Sequence, residues 1–205
     1  MGAGQQPLSK GEILVNGSVL DKPLTDVGIV FQDHLLLEFR TALANVMLQA
    51  EIRGLPLEPA RRRALELFER LGIAHATDRY PKQLSGGMRQ RVAIARALIH
   101  DPSVLMMDEP FGALDAITRT QIRHDLEVLW METGKTVLFI THSLEEAIGL
   151  SDRVLVMSPT PGRIVDEIKI ELPRPRPSHL GDYPSFNAYA DRIHEVFRRF
   201  GVLKY

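Results

Sequence analysis

Apolar residues recur along this chain with two different periods, and the switches between them mark its elements. "GEILVNG" (11–17) and "VGIVFQ" (27–32) are short β-branched runs with turn residues between them, which predicts strands. From Thr41, the residues Leu43, Val46, Met47 and Ala50 fall at helical spacing as far as Gly54. A second helix is expected near Pro59, since proline suits a first turn; Ala64, Phe68 and Leu71 form its stripe and Gly72 ends it. Arg61, Arg62 and Arg63 in that first turn read as a solvated face. A third helix carries Met88, Val92, Ala95 and Ile99 along one side.

"SVLMMD" (103–108) and "TVLFITH" (136–142) read as buried strands. Between them runs a long helix from about Asp115, with Ile122, Leu126, Leu129 and Trp130 inside and Gly134 at its end. Ser143 and Glu146 fit a capping box for a short helix. "RVLVMS" and "RIVDEIKIEL" form a closing pair of strands around the turn "PTPG". "PRPRP" (173–177) is a stiff extended link. A last amphipathic helix over 184–200 carries Tyr189, Ile193, Val196 and Phe197 as its stripe. Strands alternating with helices predict an α/β fold.

Composition narrows the function classes. With 205 residues, 44% hydrophobic and 25% charged, the chain suits one medium domain, or one domain with a subdomain. A formal net charge of −1 makes no electrostatic case for nucleic acid. The absence of cysteine excludes disulfides, thiolate metal sites and cysteine nucleophiles, and fits a reducing cytoplasm. No apolar run approaches a membrane span, and the start lacks a signal peptide's apolar core, so a membrane connection is expected to pass through a partner.

Several polar residues then stand where apolar runs end. "VLMMDE" places Asp108 and Glu109 at the C-terminal edge of a sheet, where open α/β folds keep their ligands. There the inner carboxylate can hold Mg²⁺ and the next can polarise a water. His142 ends the following strand, Gln32 ends "GIVFQ", and "GALD" puts Asp115 at a turn. Each is weak alone: acidic strand ends usually mark turns, and a lone histidine is more often structural. In "LSGGMRQ" (84–90), Ser85, Gly86 and Gly87 open a helix whose unpaired N–H groups and dipole favour an anion. A bare S-G-G is an ordinary N-cap. The order of all five signals along the chain is what makes them strong together.

On those residues the chain resembles the ATP-binding subunit of ABC transporters over nearly its whole length. "LSGGMRQRVAIARAL" is similar to the family's signature motif, "VLMMDEP" to its Walker B, Gln32 to its Q-loop, "GALD" to its D-loop and His142 to its switch histidine. Met88 stands where many members carry glutamine, and Gly112 where serine is frequent; neither change removes a phosphate contact. "EPFGALDAITR" and "GKTVLFITHSLEEAIGLSDRVLVMSPTPGRI" are similar to importers of nitrate, sulfonate and taurine.

The resemblance implies an N-terminally incomplete P-loop NTPase-type core with an inserted α-helical signature subdomain. The parts would be 1–35, a β remnant up to the Q-loop; 36–101, the helical subdomain; 102–172, the rest of the α/β core; and 173–205, the proline-rich link and last helix. It implies ATP and Mg²⁺, with Asp108 and Gln32 at the metal and Glu109 and His142 catalytic. Ser85, Gly86, Gly87, Gln90 and Asp115 would reach nucleotide held by a head-to-tail second ATPase subunit. A membrane permease would be the other partner, a solute-binding protein an indirect one, and the location the cytoplasmic face of the membrane. "DHLLLEFRTALANV" (33–46) follows the Q-loop where the family docks its permease, with Leu35, Leu36, Leu37 and Phe39 as contact candidates.

One expected part is missing from these 205 residues. No G-x-x-x-x-G-K-[ST] occurs; "GKT" at 134–136 has Leu129 where the first glycine should stand and reads as a turn. By the resemblance, the chain starts just past the helix after that loop, so the loop's lysine, its metal-binding hydroxyl and the adenine-stacking aromatic are absent. The chain alone is then expected to bind ATP weakly and to leave a sheet edge exposed. The alternatives are a non-catalytic donor of the signature half-site and an incomplete gene product.

Overall fold

A computed structural model of the chain describes residues 10–177 and 180–202; the boundary inferred around residues 3–9 lies outside them. The chain divides into two compact units. One comprises 1–107 with 135–138, the other 108–134 with 139–205.

The first unit opens on a hairpin. β1 (Leu14–Val15) pairs antiparallel with β2 (Ser18–Val19). The single strand expected over 11–17 is thus split, because Asn16 and Gly17 turn at φ 51° and 78°, the pair of positive values a tight two-residue hairpin needs. β3 (Val27–Val30) runs parallel to β4 (Val104–Asp108), with Val27 opposite Val104 and Val30 opposite Met107. β5 (Thr136–Ile140) completes the sheet order β3-β4-β5.

Three helices cover this unit. Thr41 caps α1 (Ala42–Arg53), its hydroxyl accepting from the Ala44 N–H, and Gly54 ends it in the left-handed conformation. α2 (Leu57–Arg70) starts two residues ahead of Pro59. α3 (Gly86–Leu98) begins at the N-cap Ser85. α1 packs against both α2 and α3, and α3 against β3. Ala42, Val46, Ala50, Ala64, Phe68, Val92 and Ala95 are buried between them. Enclosing a side chain such as Phe68 contributes roughly 1.5–3 kcal/mol, and the small residues let the helix axes approach. Gly28 makes the approach of α3 to β3 possible, since a Cβ there would stand 2.4 Å from the Ala97 carbonyl oxygen.

Two expectations change here. Arg61 and Arg62 are exposed as expected, but Arg63 reaches back to donate to the Leu98 carbonyl and to Asp101 at 2.8 Å. "TVLFI" does not form a fully buried strand. Thr136, Leu138 and Ile140 are exposed on one face of β5, with Leu138 46% and Ile140 53% accessible. Among the described residues β5 has β4 as its one neighbour in the sheet, and no described element covers that face.

The second unit contains α4 (Ala116–Thr133), α5 (Leu144–Leu150), the antiparallel pair β6 (Arg153–Met157) and β7 (Ile164–Lys169), and α6 (Pro184–Arg199). Ile148, Val156, Ile168, Ile170, Leu172, Leu180, Phe186 and Ile193 form its core, with Tyr189, Val196 and Phe197 packed against it. The capping box at α5 is half formed. Ser143 accepts from the Glu146 N–H, but the Glu146 carboxylate accepts from Thr141 Oγ1 at 2.5 Å. The Ser143 N–H, in turn, goes to that same Thr141 oxygen. The "PRPRP" segment is anchored as well as extended. Arg174 donates to Glu127 and Asp152 and lies 4.2 Å over the Trp130 ring, while buried Arg176 donates to the Ile148 and Ser151 carbonyls.

Candidate functional site

In the first unit, the start of α3 is built as an anion site would be. Ser85 Oγ accepts the Met88 N–H at 3.2 Å, fixing the first turn and leaving its own proton free to donate. Ser85 is exposed, Gly86 half-buried and Gly87 buried, so the serine is the part of the turn that opens outward. The N–H groups of Gly86 and Gly87 belong to the first turn, where no carbonyl of the same helix can pair with them.

Gln90 departs from the expected role. Its side chain is fully buried and its Oε1 accepts from His34 Nδ1 at 2.7 Å, so it has no exposed polar atom to offer a nucleotide. Gln32 is exposed two residues past the end of β3.

The loop after Gln32 is held by side chains on two helices. From α3, Arg96 donates to the carbonyls of Leu35 and His34 at 2.6 and 2.7 Å. From α1, Asn45 accepts the Leu37 N–H and donates to the carbonyls of Leu37, Arg40 and Thr41. Asn45 is fully buried. Sequence reading passed over it, although a polar residue inside the apolar stripe of α1 was the available signal. Beside this loop lies a cavity of about 560 Å³ whose lining includes Phe31, Leu35, Ile52, Arg53, Arg96 and His100. Its walls are largely apolar, and every ionisable side chain among its lining residues is basic. Burial pushes the His100 imidazole below its ordinary range, and the same cause lowers His34.

In the second unit, Asp108 ends β4 as an exposed carboxylate and Glu109 follows at φ 43°. That left-handed conformation is costly for a glutamate and is the kind of strain found at functional sites. It is held by the Glu109 N–H, which donates to the Ile140 carbonyl at 2.9 Å, while Phe111 lies against Phe139 with ring centroids 5.7 Å apart. His142 Nδ1 stands 3.3 Å from Glu109 Oε2, with His142 75% exposed. The two residues read as catalytic therefore lie together. Asp115 is the N-cap of α4, and the Thr118 N–H it accepts keeps its carboxyl below the usual range. Among the described residues, no group of three or more His, Asp or Glu side chains gathers as metal ligands. A hard cation at Asp108 would take its other ligands from nucleotide oxygens and water, which is how Mg²⁺ is commonly held.

The sequence model of the ABC transporter family matches residues 2–112. A taurine import ATP-binding protein of Rhizobium johnstonii is 46% identical over 186 residues, covering 91% of this chain and 71% of its own length. The chain belongs to the ABC transporter family. Two solved structures of ABC proteins carry the same fold. One is cbiO1 of Clostridium perfringens, described as part of the ABC transporter complex cbiONQ. It superposes with a TM-score of 0.77 at 28% identity, over 98% of this chain and 77% of its own. The other, an ATP-binding cassette in a dimeric post-hydrolysis state bound to ADP and Pi, gives 0.66 at 32% identity, over 79% and 74%. Among the ABC relatives the chain spans as little as 65% of the length of a curated protein it matches.

Proposed function

We propose that the chain is the ATP-binding subunit of an ABC importer for a small sulfonate such as taurine. On this reading it is not competent alone, because these 205 residues hold no phosphate loop. The Glu109–His142 pair, 3.3 Å apart beside a strained backbone, carries the catalytic half of the reading. Likeness to the taurine import protein supports the solute class, and likeness to a dimeric cassette bound to ADP and Pi supports ATP and a second subunit.

The chain's own residues divide the work as follows. Asp108 would hold Mg²⁺, and Gln32 is the second candidate for the metal. Bound there, the metal would neutralise charge on the β- and γ-phosphate oxygens. Glu109 would accept a proton from the attacking water wherever a phosphate loop completes this chain's own half-site. His142 orients that carboxylate and offers its outer ring nitrogen to a γ-phosphate oxygen. Ser85, Gly86 and Gly87 would donate to the phosphates of a nucleotide held by the other subunit's loop, and Asp115 is a further candidate to reach it. Two copies of these 205 residues would make two sites without a lysine. One copy paired with a complete relative makes one competent sandwich, with a signature-donating partner as the alternative role.

A permease segment would sit in the cavity beside Leu35. Phe31, Leu35 and Ile52 present apolar surface there, and Arg53, Arg96 and His100 favour a helix carrying a carboxylate. None of the described helices is long and apolar enough to cross a membrane, so attachment to the cytoplasmic face would run through that permease.

Calorimetry of ATP with the purified chain, then with an equimolar full-length taurine-type relative, tests the proposal. Weak or undetectable binding alone and hydrolysis in the mixture are expected. Micromolar affinity of the isolated chain would overturn it.

A further inference from the structure

We propose that His34, Gln90 and Arg96 form a positioning latch that ties the cavity-lining turn at Leu35 to the signature helix α3. Its functional meaning rests on the importer reading above.

Leu35 is 58% exposed and lines the cavity, yet its backbone is held at φ 46°, a region leucine rarely adopts. A turn held in that conformation needs outside contacts to keep it there. Here α3 supplies them. Arg96 grips the two successive carbonyls of His34 and Leu35. His34 donates its Nδ1 proton to the buried Gln90 amide, near the start of α3.

Packing alone does not account for Gln90. Its Nε2 is buried without a hydrogen-bond partner, a cost that a leucine of similar size would avoid. The amide does, however, join the loop to the helix whose first turn presents Ser85, Gly86 and Gly87. Both Leu35 and Arg96 line the cavity, so a partner seated there touches the outer end of the latch. Displacing Leu35 then loads His34 and, through Gln90, the start of α3. None of these three side chains touches substrate on this account. They position groups that do.

Amide hydrogen exchange on the intact chain, followed in segments 33–39 and 85–91, tests the latch without nucleotide or permease. Gln90→Leu removes the acceptor and is expected to speed exchange about fivefold or more in both segments, the scale of one lost buried hydrogen bond. Gln90→Glu keeps an acceptor for His34 and is expected to stay near the parent. Leu35→Gly relaxes the turn, and its effect on 85–91 is expected to vanish when combined with Gln90→Leu. If Gln90→Leu does not fold, His34→Phe takes its place in both comparisons. Faster exchange confined to 33–39 would overturn the latch, as would an equal Leu35→Gly effect in both backgrounds. The importer reading fails separately, if Ile52→Asp leaves co-purification with a permease intact.

Discussion

His142 and Glu109 face each other across 3.3 Å, the imidazole largely in solvent and the carboxylate two-thirds enclosed. Glu109 holds that position through its own backbone, whose N–H is bonded to Ile140 on the neighbouring strand. In a chimera that carries a full-length relative's phosphate loop ahead of this chain, Glu109→Gln should keep nucleotide binding and lower hydrolysis about 10²-fold or more. His142→Ala should do the same with a smaller loss of affinity than of rate. Steady-state ATPase assays beside calorimetry separate the two effects.

Gly28→Ala should destabilise the first unit by about 1–3 kcal/mol or more, because the new methyl would sit 2.4 Å from the Ala97 carbonyl. The obstacle is backbone, which cannot rotate away. Urea unfolding of the variant checks it, and Gly54→Ala, where nothing lies within 4 Å but φ is +65°, isolates the backbone-conformation effect for comparison.

Arg176→Ala should cost the second unit about 2–4 kcal/mol. The guanidinium serves the carbonyls of Ile148 and Ser151 at 2.7 Å each, and both would lose a buried donor. Arg174→Ala should cost at least as much, since it leaves the buried Glu127 carboxylate without its cation at 2.9 Å and also removes the contact with Trp130. Trp130 is the single tryptophan of the chain, so its fluorescence reports the second change directly.

Acid should weaken the fold in two stages. His34 and His100 are both held below the ordinary imidazole pKa, chiefly by burial, so the unfolded chain takes up their protons first. Stability is therefore full above about pH 6.5 and falls as pH drops below it, levelling once the folded histidines titrate. Asp26 and Asp101 lie below the ordinary carboxylate range, through hydrogen bonds from Ser103 and Lys135 respectively. Their contribution persists above about pH 4 and is lost only on further acidification. Denaturant midpoints at pH 7.5, 5.5 and 3.5 check both stages, and His100→Gln should shrink the first.

What the sequence made legible was whatever depends on neighbours along the chain. Thr41, Ser85, Asp115 and Ser143 all cap helices, and Gly54 and Gly134 end them, because caps are local. The order of Asp108, Glu109 and His142 along the chain gave no distance, yet the ends of β4 and β5 bring the last two together. Long-range polar contacts were not legible. Asn45 lies among apolar neighbours that mask it, Gln90 follows a motif that suggests a nucleotide contact, and the arginines of "PRPRP" have the pattern of a linker. Asn45 serves loop carbonyls 4 to 8 residues away, Gln90 a histidine 56 away and Arg174 a glutamate 47 away. The hairpin at Asn16-Gly17 differs in kind: its turn signal lies inside the β-branched run 11–17 and divides it.

The bare side of β5 sets a condition on the life of this polypeptide. Leu138 and Ile140 turn toward water on the outermost strand of a sheet, a surface that chaperones bind and that other strands can extend. How long the chain survives in a cell should thus depend on how soon something shields that side, and its steady-state amount should follow the supply of whatever does so.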